Sequence, residues 1–164
     1  MLKIALPLAL LIAPAVSQAS PVDTALSGAE LRGAATFRWV GLPIYEARLY
    51  TKSGARLDWG KDFGLELKYL RNLTKFDLVE GTMRELERTG TALPLRAQLE
   101  RCFDNVRKGD RYVAVSDGQD KLRFWRNGRR MCTLAYPQIK TRFMAIFLGD
   151  DTRSKSFTRR LRGE

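Results

Sequence analysis

Histidine is absent from this chain. That removes the commonest general base, every Ser-His or Cys-His nucleophile and the usual transition-metal sites. Only two cysteines are present, Cys102 and Cys132, whereas a structural zinc needs about four Cys or His ligands. No metal site and no cofactor is therefore expected, and any chemistry would fall to Arg, Lys, Tyr, Ser, Thr, Asp or Glu. The glycines of "GAELRG" at 28 to 33 are not followed by the Lys and Ser or Thr of a phosphate-cradling loop. Internal repeats, low-complexity tracts and proline-rich linkers are missing too.

The N-terminal apolar run is short. In "MLKIALPLALLIAPAVSQAS" one cation, Lys3, precedes apolar residues from Ile4 to Val16, and the small residues Ser17, Ala19 and Ser20 follow. This order is that of a secretory signal peptide, and the run falls short of the about 20 residues a membrane helix needs. The alternative reading is an uncleaved anchor. We expect a signal peptide over residues 1–19, one domain over 20–164, and a periplasmic or secreted protein. In such an oxidising compartment Cys102 and Cys132 can pair.

What is present is alternation. In "ELRGAATFRWV" Leu31, Ala35, Phe37 and Trp39 share one face, and Arg32, Ala34, Thr36 and Arg38 the other, the period of a half-buried strand. "IYEARLYT" sets Tyr45, Ala47 and Leu49 against Ile44, Glu46, Arg48 and Tyr50, and "FGLELKYL" aligns Phe63, Leu65, Leu67 and Tyr69. The period then lengthens. Thr74 and Asp77 resemble a capping box, and Phe76, Val79, Met83 and Leu86 follow at helical spacing as far as Gly90. A second helix is predicted from Pro94 through Leu95, Leu99, Cys102, Phe103 and Val106 to Gly109. Strands return at 111–116 and 121–134, and a last helix from Pro137 to Gly149 carries Ile139, Phe143, Ile146 and Phe147. The fold class is α+β: a long, mainly antiparallel sheet with helices packed on one face.

These segments, in this order, resemble the bacterial chalcone isomerase-like family. The likeness rests on "LRGAATFRWVGLPIYEARLYT", "FGLELKYLRNLTKFDLVEGTMREL", "VRKGDRYVAVSDGQDKLRFWRNGRRMCTL" and the closing "FMAIFLGDDTRSKSFTRRLRG", collinear over nearly the whole domain. The resemblance implies the chalcone isomerase fold, which hosts several functions. Its catalytic members hold a phenolate with a strand arginine, and its fatty-acid-binding members hold a carboxylate with an arginine and a tyrosine, a task that suits the guanidinium fork. Arg32 and Arg38 are the arginines that could correspond, and spacing from Tyr45 does not choose between them. Tyr45 and Tyr50 are the candidate donors. The tyrosine and asparagine of the catalytic members have no counterpart here beyond Asn105, so chalcone isomerase activity is not expected. The leading expectation is a non-catalytic exported protein binding a small amphipathic or carboxylate molecule, such as a fatty acid, between sheet and helices. An isomerase-like enzyme of unknown substrate is a further alternative.

Charge supplies a second reading. Residues 121–164 hold 12 Lys and Arg against 3 acids, whereas residues 1–120 hold 17 against 15. A region so basic could dock an anionic membrane surface or acidic partner through Arg126, Arg129, Arg130, Arg159, Arg160 and Arg162. Nucleic acid is not expected as a partner of an exported chain. "RFWRNGRR" at 123 to 130 reads as a hairpin instead, because Asn-Gly is the strongest short signal for a two-residue turn. That turn pairs Arg126 with Arg129, Trp125 with Arg130, Phe124 with Met131 and Arg123 with Cys132. It leaves open whether Cys132 lies under the helix that carries Cys102.

Overall fold

The structure is a computed structural model and describes residues 21–164; the expected signal peptide lies outside the described residues. Six strands neighbour one another in chain order: β1 (Ala29–Trp39), β2 (Leu42–Lys52), β3 (Gly64–Tyr69), β4 (Arg111–Ser116), β5 (Lys121–Arg126) and β6 (Arg129–Ala135). Every adjacent pair is antiparallel. Alternation sends Ala47, Leu49, Leu65, Ala114, Leu122, Phe124 and Leu134 to one face, where they form a single core with helices α2 (Lys75–Arg88), α3 (Arg96–Cys102), α4 (Ile139–Leu148) and α5 (Lys155–Leu161). This is the α+β architecture expected, with one addition. A five-residue helix, α1 (Pro21–Ala25), lies on the opposite face, where Val22 packs with Val113 and Val115.

Helix α2 begins as its sequence predicts. The Thr74 side chain accepts from Asp77 N, and Asp77 Oδ2 accepts from Thr74 N at 2.8 Å. Its buried residues are Val79 and Leu86, whereas Phe76, predicted on the same stripe, is exposed. The second helix is shorter than predicted. It stops at Cys102, Phe103 is extended, and Val106 instead exchanges two backbone hydrogen bonds with Leu73. Asp104 N donates to the Tyr112 hydroxyl at 2.9 Å. Backbone groups satisfied by partners outside the helix cannot also continue it.

Bulges account for the other departures. The β5–β6 turn has positive φ at Asn127 and Gly128 and pairs Arg126 with Arg129 and Trp125 with Arg130, as predicted. Met131 is then an extra residue, so Phe124 faces Cys132 and Arg123 faces Thr133. This shift of one residue turns Cys132 to the face of Phe124. There it is bonded to Cys102 of α3, with the Cα atoms 5.1 Å apart. Gln98 of α3 reinforces the contact, its amide exchanging two hydrogen bonds of 3.0 Å with the Ala135 backbone.

In β1, Arg32 is an extra residue between Leu31, which pairs with Tyr50, and Gly33, which pairs with Leu49. Leu31 therefore leaves the predicted face and is exposed. Gly33 sits so close to the chain end that a Cβ there would lie 2.5 Å from the Leu161 carbonyl oxygen. A second register shift falls between Phe37, which pairs with Tyr45, and Arg38, which pairs with Pro43, and there the extra residue is Ile44 of β2.

Candidate functional site

Helices α2, α4 and α5 do not close fully on the β1–β3 half of the sheet. They leave a cleft of about 250 Å³. Its floor is Phe37, Tyr45, Leu67 and Tyr69 from the strands, and its walls are Leu73 and Leu78, Ile146 and Phe147, and Phe157. A smaller void of about 50 Å³ shares Leu67, Tyr69, Leu78, Thr82 and Phe147 with the cleft and reaches Phe103, Phe124 and Phe143. Gly81 opens the α2 wall: it lines the cleft, and a Cβ built on it meets no atom within 4 Å. A glycine inside a helix costs about 0.5–1 kcal/mol relative to alanine.

Tyr45 is the centre of the aromatic lining. It stacks on Phe37 at 5.1 Å and meets Phe147, Phe157 and Tyr69 edge-on at 6.1, 6.1 and 6.3 Å. Its hydroxyl and that of Tyr69 have no hydrogen-bond partner among the described residues. Burial pushes both phenols above the ordinary tyrosine range, with smaller contributions from Tyr69 and Glu85 on Tyr45 and from Tyr112 on Tyr69. Both remain protonated at neutral pH, able to donate a hydrogen bond and unfit to act as bases.

The mouth is polar. Trp39, Asp77, Arg84, Glu85 and Arg153 line it. Asp77 is held in the cap of α2, its carboxyl kept low by the Thr74 backbone and then by the Thr74 hydroxyl. Glu85 is paired with Arg88 at 2.8 Å and with Arg153, whose guanidinium also lies over the Trp39 ring at 5.2 Å. Arg84 has no ion pair within 4 Å among the described residues. The cleft is thus an apolar sleeve with two hydroxyl donors inside and, at its rim, a guanidinium that acts on Glu80, itself paired with Arg96, without forming an ion pair of its own, the composition of a small-ligand pocket.

Of the residues nominated from sequence, Tyr45 lines this cleft. Tyr50 projects from the opposite face, beside Val22 and Trp125. Arg32 donates to the Arg162 and Gly163 carbonyls at 3.0 and 3.1 Å, clasping the chain end. Arg38 donates to Gly41 O at 3.2 Å and, with Arg160, borders a polar groove along the β1 edge. The structure therefore does not bring Arg32, Arg38, Tyr45 and Tyr50 together.

The nominated surface arginines are also dispersed. Arg126 pairs with Asp110 at 3.1 Å and Asp104 at 3.5 Å. Arg130 stacks on Trp125 at 4.7 Å and donates to Cys132 O. Arg162 donates to Leu148 O and pairs with Asp150. Arg129 reaches the Met131 sulfur, and Arg159 and Arg160 are exposed. Arg84 and Arg153 were missed because neither lies on a strand. The available signal was Gly81 inside a helical pattern, with Leu78, Thr82 and Glu85 on its face.

No family model and no curated protein sequence matches the chain. Among solved structures it is similar to a fatty-acid binding protein of Arabidopsis thaliana, with a TM-score of 0.62 and 11% identity over 84% of this chain and 88% of that one. At that identity the likeness is one of fold, and the fold of this chain is the chalcone isomerase-like α+β fold.

Proposed function

We propose that the protein binds one small amphipathic carboxylate, a fatty acid being the model ligand, with its chain in the cleft and its carboxylate at Arg84. The observation that carries this is the pairing of an apolar cleft with a rim arginine free of ion pairs, while the neighbouring acids Asp77 and Glu85 are already engaged. A guanidinium offers a carboxylate two parallel hydrogen bonds, and Tyr45 and Tyr69 inside offer donors to any polar atom carried inward. The volume, near the lower edge of the about 300–1,000 Å³ typical of such pockets, suits a single medium-length chain. The fold shared with a fatty-acid binding protein supports the reading. The Cys102–Cys132 bond supports export to an oxidising compartment, and with it membership of an exported bacterial chalcone isomerase-like group.

Calorimetric titration with decanoate and decanol tests this. Decanoate should bind the wild type, Arg84→Gln should weaken it about tenfold, in line with a charge-assisted hydrogen bond, and decanol should ignore that change. Gly81→Leu, filling the wall, should weaken both by at least tenfold without loss of helix stability. A wild type that binds neither compound, or an Arg84→Gln variant that binds decanoate normally, overturns the assignment.

A further inference from the structure

The mouth of the cleft is continuous with the turn between β1 and β2, and that turn is built unlike a solvent-facing hairpin end. Trp39, Val40 and Leu42 are 51%, 86% and 50% exposed. They are three of the five large hydrophobic residues that are exposed among the described residues, so the exposure is concentrated in one four-residue tip. Val40 holds φ 47°, a left-handed conformation that is a genuine outlier for a β-branched side chain. The turn thus keeps an unfavourable backbone in order to project valine, where asparagine would fit at less cost.

Cations flank this tip. Arg38 is tied to Gly41 O, Arg153 lies over the Trp39 ring, and Arg84 stands at the rim of the cleft that Trp39 also lines. The acids nearby are occupied, Glu85 by Arg88 and Arg153 and Asp77 by the α2 cap. An indole beside aliphatic side chains, ringed by guanidinium groups, matches the layered chemistry of a bilayer interface: acyl chains within, anionic headgroups at the boundary. A protein partner would call for a broader patch than one turn supplies.

We propose that the β1–β2 turn docks on an anionic lipid bilayer and brings the mouth of the cleft to the interface, so that an acyl chain passes between membrane and cleft without crossing water. This rests on the ligand reading above and adds its source and direction of entry. It also places membrane contact away from the basic C-terminal segment.

The test is co-sedimentation of the purified protein with phosphatidylcholine vesicles containing or lacking phosphatidylglycerol. The wild type should partition at least tenfold better onto the anionic vesicles at low salt. Val40→Asn, outside the cleft and in a turn that favours asparagine, should lower that partition at least tenfold while leaving decanoate affinity unchanged. Arg159→Gln with Arg160→Gln should change it less than twofold. A wild type that stays in solution, a Val40→Asn variant that sediments like wild type, or a loss confined to the Arg159 and Arg160 pair overturns the inference. Failure of decanoate to bind in solution overturns the ligand reading instead, and is scored separately from the vesicle result.

Discussion

The two-residue turns at β1–β2 and β5–β6 share a backbone and differ in nearly everything else. Asn127 and Gly128 have φ of 47° and 81°; Val40 and Gly41 have 47° and 78°. At the first, the side chain explains the conformation: Asn127 Oδ1 accepts from Arg111 N at 2.8 Å, and Nδ2 donates to Asp110 Oδ1 at 3.0 Å. At the second, no such bonds exist and the side chain points to solvent. The contrast extends inward. Behind the Asn-Gly turn the sheet is sealed by a disulfide, by the Gln98 pair of hydrogen bonds, and by Phe103, Phe124 and Phe143 packed edge-on at 5.4–5.9 Å. Behind the Val-Gly turn it opens into the cleft. One half of the sheet is assembled for stability, and the other gives up some packing and some turn energy for access.

Breaking the sealed half should have the largest effect. Reduction, or Cys132→Ala with Cys102→Ala, frees a loop of 30 residues and should lower stability by about 3 kcal/mol, read from urea unfolding with and without reductant. Next comes Asn127→Val, which puts the strained residue of one turn into the other and deletes two side-chain hydrogen bonds. It should cost about 1–2 kcal/mol. The reciprocal Val40→Asn should raise stability by about 0.5–1 kcal/mol. If both substitutions shift the melting temperature in the same direction, the two turns are not energetically opposed.

The smallest effects separate the halves by pH. Tyr45 and Tyr69, in the cleft half, have phenols raised chiefly by burial. Their contribution is complete below the unfolded tyrosine value of about 10 and is lost as pH rises beyond it, because only the unfolded chain can ionise freely. Asp110, beside the Asn127 turn, is lowered by the Arg107 backbone, then by Asn127 and Arg126. Its contribution is present above the unfolded carboxylate value of about 4 and is lost as pH falls. Amide exchange should therefore loosen the β1–β3 half first in base, and in acid the Asn127 turn together with the first turn of α2, where the Asp77 carboxyl is also held low. Loosening of the Asn127 turn ahead of the β1–β3 half in base would refute the division.

Much of the fold was legible because alternation and capping are local. The six strands, the Thr74–Asp77 box and the Asn127–Gly128 turn each depend on residues within a few positions of one another. What was not legible depends on single extra residues and on distant partners. Met131 and Arg32 look like ordinary strand residues, yet each is a bulge that changes which face its neighbours occupy. The first bulge decides that Cys132 meets Cys102. The second, with the Phe37/Arg38 irregularity, directs Arg32 to the chain end and leaves Arg38 at the turn, away from the cleft. The end of α3 was hidden for the same reason, since Leu73, far along the chain, takes the hydrogen bonds of Val106. Of the site, Tyr45 could be read from the strand pattern, whereas Arg84 and Arg153 depend on how helices lie over the sheet.

The Arg32 bulge of β1 has a consequence for the molecule among its own copies. β1 is an outer strand of eleven residues, and a regular strand of that length would offer a template on which a second chain could polymerise. Interrupted near its start, with Arg32 drawn over to the C-terminal residues and α5 pressed against Gly33, it presents only a shortened register for another strand to lock onto. The kink that misled a reading of the strand is thus its protection from self-templated growth into fibres.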